Sequence, residues 1–257
     1  MVKQKVEDME AKKDVQGLIQ ALNDDNPMVR RAAVLALGNL GDSKAIVPLL
    51  DALENVTWKL TAKHGAEVAT ALGDIGDSRA VEPLIRAIET ADFDFFREEA
   101  IKALGKICDL RAFEPLIKAL NHEKSPTRNY AAGALGMLGD KRAVEPLLDY
   151  MKSAEKFDRI KAVWALAGIN DKRIPEILQS FINDAEISLA ARNALEACKL
   201  STVRQAQEAL KKKGYFDGEI SGQLDHETNL AIIAFQRAHH LPIHGALNSD
   251  TRKKLGI

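Results

Sequence analysis

The sequence predicts an all-α fold: an array of stacked helical hairpins over residues 1–200 and a small three-helix domain over 201–257. Three observations carry this expectation. First, one closing string recurs, as LGNLGD at Leu37–Asp42, LGDIGD at Leu72–Asp77, LGKICD at Leu104–Asp109, LGMLGD at Leu135–Asp140 and LAGIND at Leu166–Asp171, with terminal aspartates 35, 32, 31 and 31 residues apart. A fixed period of that size marks a solenoid, in which each hairpin buries its apolar face only against its neighbours. Second, aromatic residues are 5% of the chain and alanine and leucine abound, which suits closely packed helices better than sheets. Third, the period stops near residue 200 and a different pattern begins.

Each repeat opens just after an aspartate: SKAIVPLLDAL from Ser43, SRAVEPLIRAI from Ser78, LRAFEPLIKAL from Leu110 and KRAVEPLLDYM from Lys141. Pro48, Pro83, Pro115 and Pro146 lie six residues past their aspartates and mark the first turn of helix A, where a missing N–H costs nothing. Apolar residues then recur at helical spacing, as in Val81, Leu84, Ile85 and Ile88. After a loop with Asp or Asn comes helix B, of pattern Val-Arg-x-x-Ala-Ala-x-Ala-Leu-Gly from Val29 to Gly38. Its small alanines predict close helix approach. Gly41, Gly76 and Gly139 sit where helix B must stop, in the left-handed turn that glycine takes at little cost. A sixth unit over about 172–199 has Pro175, lacks the glycine stop and reads as a capping repeat.

Arg30, Arg97, Arg128 and Arg159 hold the second position of helix B, where the second repeat has Gly65. Each precedes its closing aspartate by 12 residues, which predicts an internal Arg–Asp ladder, since a guanidinium suits bidentate pairing.

These units, over about 14–199, resemble HEAT-type repeats of the short kind found in phycobilisome-lyase-like proteins. The resemblance implies a right-handed α-α superhelix whose B helices line a concave, protein-binding face. The helix-B positions that vary between units are then the candidate binding residues: Arg31, Leu35 and Asn39 in the first repeat; Glu67, Thr70 and Asp74 in the second; Glu98, Glu99, Lys102 and Lys106 in the third. The fourth gives Asn129, Tyr130 and Met137, the fifth Ile160, Lys161 and Trp164, and the sixth Leu189 and Asn193. Tyr130 and Trp164 stand out, because large aromatics anchor interfaces.

In the C-terminal segment, helices are expected at about 201–213, 225–239 and 248–256, with Gly214 ending the first and Asp225 and Asn248 as N-caps. Gly214-Tyr215, Gly218, Ile220, Gly222, Thr228, Ala234-Phe235-Gln236, Leu241-Pro242 and Gly245 to Thr251 carry a resemblance to the peptidoglycan-binding-like module. That resemblance implies weak contact with cell-wall muropeptides or with a protein surface. Ser221 and Asp225-His226 depart from the family's usual residues. His226, His239, His240 and His244 lack acidic partners at helical spacing and read as loop residues rather than metal ligands.

Net charge is -1, so no global field recruits nucleic acid or an anionic membrane. Met1 to Asp14 alternates charges without an apolar core, so no signal peptide is read and a cytoplasmic location is expected, or the cell envelope if a leader precedes it. Cys108 and Cys198 form no C-x-x-C and are expected to be buried free thiols. No G-x-S-x-G, P-loop or H-E-x-x-H occurs. Deoxyhypusine hydroxylases, which share this solenoid, bind iron through His-Glu pairs in their repeats. Here those positions hold Arg30-Arg31, Arg97-Glu98 and Arg128-Asn129. The expectation is therefore a non-catalytic, monomeric adaptor without cofactor or metal, binding a protein or peptide and, through its last domain, peptidoglycan fragments. A phycobilin lyase-like subunit acting on a chromophore-bearing protein is the alternative.

Overall fold

The structure is a computed structural model that describes residues 2–54, 62–153, 155–169, 171, 173–198, 200–243 and 245–257. Among the described residues it is helical, with no strand. The chain divides into two compact units, Met1–Asp109 and Leu110–Ile257, at the junction of the third and fourth repeats.

In the first unit, α1 (Val2–Ala11) precedes three hairpins: α2 (Val15–Ala21) with α3 (Pro27–Leu40), α4 (Ile46–Glu54) with α5 (Ala62–Ile75), and α6 (Val81–Thr90) with α7 (Asp94–Ile107). The second unit continues with α8 (Phe113–Leu120) and α9 (Ser125–Leu138), α10 (Val144–Ser153) and α11 (Lys156–Ala167), and α12 (Ile174–Ser180) and α13 (Ser188–Ala197). It ends with a module of α14 (Leu200–Lys212), α15 (His226–Ala238) and α16 (Ser249–Leu255). Helix α1, which the sequence shows only as a charged stretch, packs on α3 and buries Val6. It adds a lone layer to the open end of the first repeat.

The closing aspartates explain how one repeat turns into the next. Asp42, Asp77 and Asp140 N-cap short 3-10 turns, Ser43–Ala45, Ser78–Ala80 and Lys141–Ala143, each accepting an N–H two residues on at 2.9 Å. The proline then falls third in the following α-helix, still within its first turn. Asp77, Asp140 and Asp171 also take the guanidinium of the arginine two residues on: Arg79 at 2.7 Å, Arg142 at 2.6 Å and Arg173 at 2.8 Å. The helix-B arginines have other partners. Arg30 donates to the carbonyls of Asp24 and Asp25, Arg97 to those of Ile88 and Ala91, and Arg128 to those of His122 and Glu123. They thus satisfy carbonyls in the loop between helix A and helix B and, for Arg97, in the last turn of helix A. The expected pairing of helix-B arginines with the closing aspartates is corrected: Asp77, Asp140 and Asp171 pair with the arginine two residues on. The helix-B arginines reach different aspartates: Asp94 for Arg97, Asp158 for Arg128 and Asp184 for Arg159.

Gly41 and Gly139 close their B helices at φ 66° and 70°, as expected, and Cys108 accepts the same left-handed turn at φ 62°. The preceding glycine of each closing string has a different task. A Cβ on Gly73 would lie 2.7 Å from Ala103 Cα, and one on Gly136 2.6 Å from Ala165 Cα. The same holds more loosely for Gly38, 3.0 Å from Ala71 Cα. Ordinary van der Waals separation is about 3.5–4.0 Å. Successive B helices therefore meet backbone to backbone, glycine on alanine.

A buried acid joins repeats four and five. Asp158 (3% exposed) stands where the first repeat has Val29 and accepts from Ser125 Oγ at 2.7 Å and Asn129 Nδ2 at 2.6 Å, with Arg128 3.4 Å away. Burial opposes its charge, yet the hydrogen bonds from Asn129 and Ser125 and the nearby Arg128 hold its carboxyl below the usual range.

The C-terminal module has its own core of Val203, Ala206, Leu210, Phe216, Ala231, Ile232, Phe235, Leu247 and Leu255. Two buried glutamines clasp its loops. Gln207 accepts from Gly222 N at 2.7 Å and donates to Thr228 Oγ1 at 2.8 Å; Gln236 accepts from Gly245 N at 3.2 Å and donates to Thr251 Oγ1 at 2.8 Å. Each threonine is held in turn by the N-cap expected from the sequence: Asp225 accepts from Thr228 N at 2.7 Å and Asn248 from Thr251 N at 2.8 Å.

Four variants test this packing by urea unfolding, and for Asp158 by its dependence on pH. On α9, Gly136→Ala is expected to destabilise by about 1–3 kcal/mol through overpacking, although alanine is the better helix former. Gly133→Ala on the same helix, where nothing lies within 4 Å of the new methyl, is expected to stabilise by about 0.5–1 kcal/mol. Asp158→Ala is expected to cost about 1–3 kcal/mol at neutral pH by stranding Asn129 and Ser125. Because the native carboxyl is depressed, this stability is present above the unfolded value of about 3.9 and is lost as pH falls through the native value. The Asp158→Asn variant should show a flatter acid limb than the native chain.

Candidate functional site

The variable helix-B positions lie along the B layer, and in the first unit most of their charge is spent between neighbouring helices. Arg31 Nε meets Glu67 Oε1 at 2.6 Å, from α3 to α5. Thr70 donates to Glu99 at 3.1 Å and Lys106 meets Asp74 at 2.6 Å, both between α5 and α7. Lys102 closes on Glu99 at 2.5 Å within α7, and Asn39 donates to Glu10 of α1 at 2.9 Å. Glu98 is half-buried; burial, with Asp94 nearby, raises its carboxyl. Leu35 is 42% exposed. The seam therefore binds the repeats to each other.

In the second unit Asn129 belongs to the Asp158 network, and Arg159 pairs with Asp184 and, at 2.9 Å, with Glu186. Tyr130 and Ile160 are half-buried. Lys161 is exposed, with its ammonium 5.2 Å from the Phe157 ring centroid. Trp164 leaves 45% of its surface open. Leu189, at 71%, is exposed on α13.

The module lies against these last repeats. Asn229 of α15 is 1% exposed and donates to the Met137 carbonyl at 3.4 Å, while its own Oδ1 is buried with no hydrogen-bond partner among the described residues. A cleft of about 500 Å³ is lined by Trp164, Ala167, Gly168, Asn193, Glu196 and Ala197 of the repeats and by Leu224, Ala246, Leu247, Asn248 and Arg252 of the module. Sequence reasoning placed Trp164 and Asn193 on the face but missed Leu224, Leu247 and Arg252. Nothing in the sequence pattern says that the module folds back.

His239 packs 4.3 Å from the Phe235 ring, inside a cluster with Tyr215, while His244 lies outside the described residues. No group of three metal-ligating side chains occurs among the described residues. Burial pushes the Cys108 thiol up to about 12 and the Cys198 thiol up to about 11, so neither is a thiolate at neutral pH. Cys108 is buried as expected; Cys198 is only half-buried.

The family model for HEAT repeats matches residues 5–64, 60–128, 97–166 and 113–199, and that for a putative peptidoglycan binding domain matches residues 199–255. No curated protein matches the chain. Among solved structures, a chain of the complex of CpcE and CpcF of phycocyanin lyase from Nostoc sp. PCC7120 is similar, with 22% identity over 94% of this chain and 92% of that one and a TM-score of 0.57. An engineered protein is similar at 23% identity, over 71% of this chain and 95% of its own, with a TM-score of 0.51. Human deoxyhypusine hydroxylase aligns at 19% identity, 76% and 94% coverage and a TM-score of 0.38. The first two likenesses are of fold.

Proposed function

Because the chain belongs to the HEAT-repeat family, we propose that it is a binding scaffold whose helix-B face takes a protein or peptide. The observation that carries this reading is Trp164: an indole 45% exposed on a layer whose charged neighbours are largely paired with one another. An aromatic anchor beside a cleft is where binding energy concentrates. The C-terminal module supplies a second contact, with cell-wall fragments or protein, in line with its family match. Two linked weak sites gain through effective concentration when one ligand reaches both.

The match over nearly the whole chain to a component of a phycocyanin lyase complex favours a second reading, a lyase-like subunit acting on a chromophore-bearing protein. Bilin transfer to a phycobiliprotein in the presence of this chain would establish it in place of the scaffold reading.

The scaffold reading is tested by capture from native lysate with the full chain and its Trp164→Ala and Tyr130→Ala variants. Loss of the captured species with Trp164→Ala is expected, while Tm stays within about 2 °C, as for a surface substitution. A stability loss of about 3–5 kcal/mol, the cost of truncating a core aromatic, would place Trp164 in the core and overturn the proposal.

A further inference from the structure

The cleft between the last repeats and the module holds polar groups that the fold does not use. We propose that it binds the free carboxylate end of a short apolar peptide, with Arg252 as the partner of the carboxylate and Trp164 as the platform for the terminal side chain. This deepens the scaffold reading and rests on it.

The space of about 500 Å³ is of ligand size, suited to two or three residues rather than to a folded domain. Its walls are apolar on both sides: Ala167 and Ala197 from the repeats, Leu224 and Leu247 from the module. Arg252 lines it half-buried, and among the described residues no carboxylate or carbonyl pairs with its guanidinium. The arginines of the B layer differ: Arg31, Arg97, Arg128 and Arg159 each have a carboxylate partner. The Asn193 amide and the Trp164 indole N–H, also on the cleft, likewise make no hydrogen bond among the described residues. A guanidinium between apolar walls prefers a planar carboxylate that it can grip with two N–H groups. The amide is placed to take a peptide group, and the indole face to cover an aliphatic side chain.

The charge balance narrows the ligand. Glu196 stands on the same wall, exposed and with an interaction of its own, so the cleft carries one guanidinium against one carboxylate. A singly charged carboxylate is tolerated there better than a dianionic phosphate. The Asn248 side chain is already used as the cap of Thr251 and contributes shape only. Such a carboxylate end has two sources, the C-terminus of a protein or the stem peptide of a cell wall.

The test uses the full chain carrying Trp58→Phe, which leaves Trp164 as the sole indole, and follows its fluorescence. The probes are N-acetyl-Ala-Ala-Leu as free acid, the same peptide as C-terminal amide, and a soluble stem pentapeptide ending in D-Ala-D-Ala. The acid is expected to bind saturably, the amide at least about tenfold more weakly, and Arg252→Gln to weaken the acid by a similar factor without moving Tm by more than about 2 °C. Tighter binding of the stem pentapeptide assigns the cell-wall source, and tighter binding of the leucine peptide a protein terminus. Equal affinity for acid and amide, unchanged binding by Arg252→Gln, or no binding of either carboxylate overturns the proposal. If capture in the lysate assay still depends on Trp164, only the carboxylate site falls; if that dependence also fails, the scaffold reading falls with it.

Discussion

The contact on which the repeats depend is the touch of one B-helix backbone on the next. Gly38, Gly73 and Gly136 face Ala71, Ala103 and Ala165 at separations that leave no room for a methyl group. Close packing of this kind gains dispersion energy over a long strip, but it tolerates no added volume. It also explains why alanine dominates helix B while helix A carries Leu49, Leu84, Leu116 and Leu147. The bulky residues fill the space between the two layers, and the small ones set how near the next hairpin can come. Side chains flanking the strip are then brought within reach of their counterparts one repeat away, which is why Arg31 meets Glu67 and Lys106 meets Asp74.

That geometry constrains function. Charges placed beside a tight helix contact find each other before they find a ligand, and partly exposed pairs of this sort add little stability of their own. Their effect is to leave the first unit's seam electrostatically quiet. The open chemistry collects where the pattern breaks: at Trp164, where the fifth repeat has an aromatic, and beside the module, whose sequence owes nothing to the repeat.

The fold was largely legible in the sequence because its signals are local. The recurring string gave the period, prolines gave the starts of helix A, and glycines gave the stops of helix B; Asp225 and Asn248 marked their helices. The role of the closing aspartates was harder to read. Asp140 and Asp171 each have one arginine 12 residues before and another two residues after, and spacing alone favoured the wrong one; the arginine two residues away wins because the same carboxylate already takes its backbone N–H. Helix α1 was missed because Val6, the one buried residue among its described side chains, gives no visible period. The cleft was half legible. Trp164 follows from repeat alignment, but Arg252 and Leu224 reach it only through long-range packing, which no periodicity encodes.

Asn229 sets an oxygen with no partner among the described residues into the seat between the module and α9. Such an orphan acceptor subtracts roughly 1–3 kcal/mol from whatever the contact gains. A molecule lodged between Trp164 and Arg252 would touch the repeats on one side and the module on the other, so the contacts it makes would add to those that hold the module against the repeats. Occupancy would clamp the module down, and by reciprocity anything that pries the module loose would eject the occupant.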